Sequence, residues 1–118
     1  MVNYLNPNLD RTFAALTDST RREILARLES EGPITIGDLA RPLTIKLPAV
    51  LKHLGVLEDA ALITRSKAGR TVTIRIEPGP MKPALAWLQK YERFWAPRLD
   101  RLVRYAEGQE RAARRKSK

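Results

Sequence analysis

The spacing of apolar residues predicts helices over the first half of the chain. Leu9, Phe13 and Leu16 recur at steps of four and three, the mark of a short amphipathic helix, which closes near Asp18. Asp18 is a favourable N-cap, and Ile24, Leu25 and Leu28 supply the inner face of a second helix ending before Gly32-Pro33. Thr35 with Asp38 three residues on resembles a capping box; Ile36, Leu39 and Leu43 then face inward, and Pro42 limits the element. Pro48 suits the first turn of a fourth helix, in which Leu47, Val50, Leu54 and Leu57 form a stripe. Residues 35–59 therefore read as two short helices joined by a tight turn.

The period then shifts to two. Leu62 to Arg65 is strand-like, Ser66 to Arg70 is a turn containing Gly69, and Thr71 to Ile76 alternates, with Val72, Ile74 and Ile76 inward and Thr71, Thr73 and Arg75 outward. This predicts a hairpin with one wet, basic face. Pro78-Gly79-Pro80 ends it, and Met81, Leu85, Leu88, Glu92, Trp95, Leu99 and Leu102 continue as a helical seam interrupted only by Glu92. Pro97 removes a backbone donor inside that seam, so a bend there, or two shorter helices, is expected. Beyond about Glu107 the chain is polar and basic, which divides it into a domain at 1–107 and a tail at 108–118 expected to be disordered.

Length and composition narrow the function classes. A chain of 118 residues with 43% apolar content makes one ordinary core. With no Cys and one His, thiolate catalysis, disulfide scaffolds and zinc ribbons are excluded, and no metal site or cofactor is expected. The longest apolar run, Ala84 to Leu88, is five residues against the roughly 20 of a membrane helix. No apolar stretch follows the initiator Met, so no secretory signal is expected, and a cytoplasmic protein without membrane attachment is the reading. Catalysis lacks a residue set: Glu58 and Asp59 are helix neighbours that read as solvated charges.

The net charge of +9 is unevenly placed. Residues 41–76 carry +5, residues 108–118 carry +4, and the rest of the chain balances ten of each sign. Such clustering is the footprint of a polyanion binder. A helix-turn-helix feeding a basic hairpin suits duplex DNA, because a helix fits the major groove while a hairpin tip lies along neighbouring phosphates. Arg65, Lys67, Arg70 and Arg75 are the candidate phosphate clamp, Arg70 beside Gly69 being best placed for a minor groove. A solvated hairpin edge guarded by charge is the alternative. Lys52 projects away from the apolar stripe, towards a phosphate or a guanine edge, whereas His53 lies close to the apolar face.

Several segments resemble one family in order: Asp18 to Leu25 (DSTRREIL), Ile36 to Leu39 (IGDL), Leu47 to Leu54 (LPAVLKHL), Val56 to Glu58, Leu62-Ile63, Gly69-Arg70, and Trp87 to Tyr91, continuing through Arg93 to Trp95 and Arg98 to Leu102. The chain from about Leu9 to Leu102 is similar to the ArsR family of bacterial repressors, in the branch without metal sites. The resemblance implies a mostly α winged helix-turn-helix with a β-hairpin, acting as a homodimeric repressor on double-stranded DNA. It also implies that His53 is a DNA contact. Where that family has Ser before Leu-Pro, Ser before Lys-His and a basic residue after His-Leu, this chain has Lys46, Leu51 and Gly55. Lys46 and Leu51 are accordingly candidate contacts; Leu51, at the edge of the buried stripe, either completes the core or reaches the groove, where it would meet a thymine methyl. The residues name no inducer.

Trp87, Tyr91, Phe94 and Trp95 place four of the seven aromatic residues within nine positions. By themselves they read as core or as a subunit interface. With the resemblance, the N- and C-terminal helices are expected to form the dimer interface through Trp87, Tyr91, Trp95, Leu99 and Leu102, joined by Leu85 and Leu88 and by Leu9 and Phe13 of the first helix. The rival functional reading is a winged helix that binds a protein partner; an RNA binder is a lesser one. Steep salt dependence separates nucleic-acid binding from the former.

Overall fold

The computed structural model describes residues 7–116. Its elements are α1 (Pro7–Ala15), α2 (Ser19–Glu31), β1 (Ile34–Thr35), α3 (Ile36–Ala40), α4 (Leu47–Asp59), β2 (Ile63–Ala68), β3 (Thr71–Ile76), α5 (Met81–Gln89) and α6 (Glu92–Lys116). Two units divide between Ala84 and Leu85, where the sequence suggests one domain running to residue 107.

The first unit is built around Ile24, Leu25 and Leu28 of α2, Leu39 of α3, Val50, Leu54 and Leu57 of α4, and Ile34, Leu62, Ile63 and Ile74 at the sheet. Asp18 caps α2 by accepting the Arg21 amide at 3.0 Å, and Gly32, at φ +81°, ends it with its N–H on the Leu28 carbonyl. Thr35 Oγ1 accepts the Asp38 amide at 3.2 Å and starts α3 as expected. The other end of α3 is closed from outside: the Arg27 guanidinium donates to the Leu39 and Asp38 carbonyls at 3.0 and 3.1 Å.

Two expectations about inward faces change. Leu47 opens α4 half in solvent, 50% exposed, so the buried stripe of that helix is Val50, Leu54 and Leu57 alone. In α1 the buried residues are Thr12 and Ala15, with Leu9 and Phe13 half-buried. Thr12 is small enough to fit there and spends its hydroxyl on the Asn8 carbonyl at 3.0 Å.

The sheet has the order β1-β3-β2 and is antiparallel throughout. β1 was not visible as a strand because two residues carry no period; it exists only by pairing Ile34 with Ile74 and Thr35 with Thr73. β2 runs three residues further than its apolar pattern, to Ala68, leaving Gly69 and Arg70 as a two-residue loop. Gly69 has φ +63°, as the first central position of a type II′ hairpin turn requires.

In the second unit the helix break falls at Lys90–Tyr91, and α6 runs through Pro97. Pro97 is the sixth residue of α6, so only the Arg93 carbonyl loses its partner. Glu92, an interruption in a continuous seam, becomes a favourable first-turn acid. The expected disorder from residue 108 is also replaced by helix through Lys116, with residues 117 and 118 outside the described residues. Its Ala, Arg, Glu, Gln and Lys content favours helix, and Glu110 pairs with Arg114 at 3.1 Å across one turn. Among the described residues no helix is long and apolar enough to cross a membrane.

Candidate nucleic-acid interface

Lys46 is the N-cap of helix α4, its side chain making no cap hydrogen bond, and Pro48 stands in the first turn where a missing N–H costs little. Because Val50, Leu54 and Leu57 are buried, the 100° step per residue turns Lys52 to the opposite side of α4 and Leu51 to its flank, and both are exposed, as is Leu47 in the first turn although it lies nearly in line with Leu54. Leu51, at 41% exposure, is not a core residue. Lys46 and Lys52 form no ion pair among the described residues.

The flank that carries Leu51 also carries Glu58, and an unpaired carboxylate there would repel a polyanion. Arg65 of β2 cancels it, with Nε on Glu58 Oε2. A residue proposed for the clamp is thus already engaged with α4, a pairing that needs the hairpin folded back on the helix and so could not be read from local pattern.

The hairpin register divides the clamp. Arg65 lies opposite Ile74 and Lys67 opposite Val72, whereas Arg75 lies opposite Thr64. Directly opposed residues share a face, so Arg65 and Lys67 project on the side of Val72, Ile74 and Ile76, and Arg75 projects on the other. The expectation of a single wet, basic face is corrected accordingly. Arg70, in the two-residue loop, is exposed at the tip.

His53 departs from the groove-facing set. It is about 160° from Leu51 around the helix, close to the direction of Leu57. Its side chain is 21% exposed, with Nδ1 3.2 Å from Arg21 Nη1 and 3.8 Å from Asp18 Oδ2. Asp18 itself titrates low, chiefly because it accepts the Arg21 backbone N–H, with its partial desolvation opposing. Among the described residues no group of three or more acids or histidines gathers to hold a metal ion.

Known proteins share this fold. A helix-turn-helix domain family matches residues 16–66. An HTH-type transcriptional regulator of Mycobacterium tuberculosis is 41% identical over 96 residues, covering 80% of this chain and 83% of that protein. A solved ArsR family transcriptional regulator, also 41% identical, covers 76% of this chain and 92% of its own with a TM-score of 0.69. The chain belongs to the ArsR family of transcriptional regulators. As an ArsR-family winged helix-turn-helix protein, it is a DNA-binding regulator of transcription. The transcriptional repressor SdpR of Bacillus subtilis is 28% identical over 83 residues, covering 70% of this chain and 91% of that protein. The fold also matches a homodimeric winged helix-turn-helix domain of Mycobacterium bovis, with 22% identity, a TM-score of 0.60 and coverage of 80% and 88%.

Proposed function

We propose that two copies of this chain form a cytoplasmic repressor that sets α4 into the major groove of double-stranded DNA and lays the β2–β3 hairpin along the adjoining backbone. The observation that carries the reading is the exposed surface of α4, where Leu47, Leu51 and Lys52 are in solvent and Glu58 is neutralised by Arg65. Lys52 is the polar reader, Leu51 meets a thymine methyl, and Lys46 reaches a phosphate beside the helix start. On the wing, Arg70 and Lys67 grip phosphate, while Arg75, on the opposite face of the hairpin, contributes only through the long-range field.

The dimer assignment is supported by exposed apolar side chains that a lone chain leaves in water. Trp87, Tyr91, Trp95 and Leu99 are each at least 40% exposed, as are Leu85, Leu88 and Leu102. Together with Leu9 and Phe13 of α1 they make the interface in this reading, and the homodimeric Mycobacterium bovis relative supplies a precedent in the same fold.

The test is to sequence duplex fragments retained by the pure protein, then measure their affinity across salt. Lys52→Ala changes base preference, whereas Arg70→Ala weakens every duplex alike and flattens the slope of log affinity against log salt by about one unit. A shallow salt slope for the unaltered protein assigns the fold to a protein partner instead.

A further inference from the structure

We infer that Arg21 is a positioning residue for DNA reading, tying the recognition helix α4 to the end of α1 with His53 as its acceptor on α4. The inference rests on the function proposed above. Arg21 sits in the first turn of α2, with its backbone N–H on Asp18 Oδ2 at 3.0 Å. Its guanidinium then reaches two other elements. Nε donates to the Ala15 carbonyl at 2.8 Å, beyond the reach of α1's own amides, and Nη2 to the Ala14 carbonyl at 3.1 Å, which also accepts the Thr17 N–H at 3.2 Å and the Thr17 hydroxyl at 2.7 Å. Nη1 lies 3.2 Å from Nδ1 of His53.

A guanidinium carries donors only, so this bond requires Nδ1 as the acceptor, which the tautomer with its proton on Nε2 supplies. Asp18 Oδ2, at 3.8 Å from Nδ1, is beyond hydrogen-bond reach and already holds the Arg21 amide. The planar guanidinium therefore fixes the distance between the last turn of α1 and the flank of α4 with a rigid fork, which apolar packing alone does not do. Rotation of α4 about its axis decides which base edges Leu51 and Lys52 meet, and His53, about 160° from Leu51, is where that rotation is held. His53 thus acts from behind the recognition face, and its place in the resemblance as a direct DNA contact is replaced by a role through Arg21.

The experiment compares wild type, Arg21→Met, His53→Leu and His53→Asn against a retained duplex and a random duplex, at a temperature where circular dichroism shows each folded. Asn places a side-chain oxygen near the Nδ1 position, whereas Leu keeps bulk without an acceptor. Losing a hydrogen bond to a charged donor predicts that Arg21→Met and His53→Leu each lower the preference for the retained duplex by about tenfold. The salt slope is expected to stay that of wild type, because no phosphate contact is removed, and His53→Asn recovers most of the preference. Imidazole nitrogen NMR of wild type at alkaline pH shows the proton on Nε2, and Arg21→Met gives mixed tautomers.

A slope lowered by about one unit in Arg21→Met would make Arg21 a phosphate contact and overturn the proposal. So would unchanged preference in His53→Leu, which also decides the matter if Arg21→Met does not fold. Wild type that retains no duplex refutes the proposed function and the positioning role with it; wild type that discriminates alongside variants that do so equally refutes only the latter.

Discussion

Two single residues, Ala61 and Asp18, set measurable terms in the stability of the fold. Ala61 adopts φ +58° at the end of α4, where Leu62 N–H bonds the Leu57 carbonyl at 3.0 Å and Ala61 N–H bonds the Glu58 carbonyl at 2.9 Å. This is a Schellman ending with alanine in the place glycine usually takes. The left-handed conformation costs an L-residue roughly 1–2 kcal/mol, offset in part by the freedom glycine adds to the unfolded chain, so Ala61→Gly is expected to stabilise by about 0.5–1 kcal/mol. A raised urea midpoint at constant m-value is the measurement, and a lower midpoint contradicts it. Asp18 gives a pH dependence. Its carboxyl is held below its ordinary range by the Arg21 backbone N–H, so its stabilisation is fully present above the unfolded value and is lost as pH falls through the lowered folded one. Asp18→Asn keeps an N-cap acceptor, and its stability should lack this fall below about pH 4. The cap itself was legible in the sequence; the His53 contact beside it was not, since residues 32 positions apart meet only through packing of α2 on α4.

At the scale of elements, α4 and the hairpin work as a pair. Arg65 on β2 cancels Glu58 on the exposed flank of α4, and as an exposed ion pair it adds at most about 1 kcal/mol to stability. Its larger consequence is electrostatic. Arg65→Ala should weaken binding to every duplex, while adding Glu58→Gln in the same chain should restore most of the loss, because the uncovered carboxylate is then gone. Anisotropy titrations of both single variants and the double variant check this; a double variant as weak as Arg65→Ala would assign Arg65 to a phosphate instead. The α4 boundaries were readable because Pro48 and the stripe of Val50, Leu54 and Leu57 agree. The basic residues of the wing were readable only as a set. Their sorting onto two faces depends on which residue of β2 opposes which of β3, and a loop of two residues instead of five moves that register.

For the whole molecule, the C-terminal unit buries none of its large apolar side chains within one chain. Trp87 and Tyr91 meet with centroids 5.1 Å apart and planes tilted by 53°, yet stay 40% and 46% exposed, and Trp95 stays 43% exposed. In the dimer proposed above these aromatic side chains are the anchors, so Tyr91→Ala with Trp95→Ala is expected to raise its dissociation constant by at least about tenfold. Sedimentation velocity should then show monomer at concentrations where wild type is a dimer. An unchanged dimer would remove both residues from the interface.

The sequence by itself determined the four helices of the first half and the presence of the β2–β3 hairpin, the caps at Asp18 and Thr35, the buried stripe of α4 and the concentration of charge between residues 41 and 76, because each depends on neighbours within a turn or two. It also carried the family, through motifs spread in order along the chain. Tertiary structure alone decided the existence of β1, the register that separates Arg75 from Lys67, the engagement of Arg65 with Glu58 and the capture of His53 by Arg21. In each of these the partner lies on a different element, and periodicity within one segment holds no information about the distance to another.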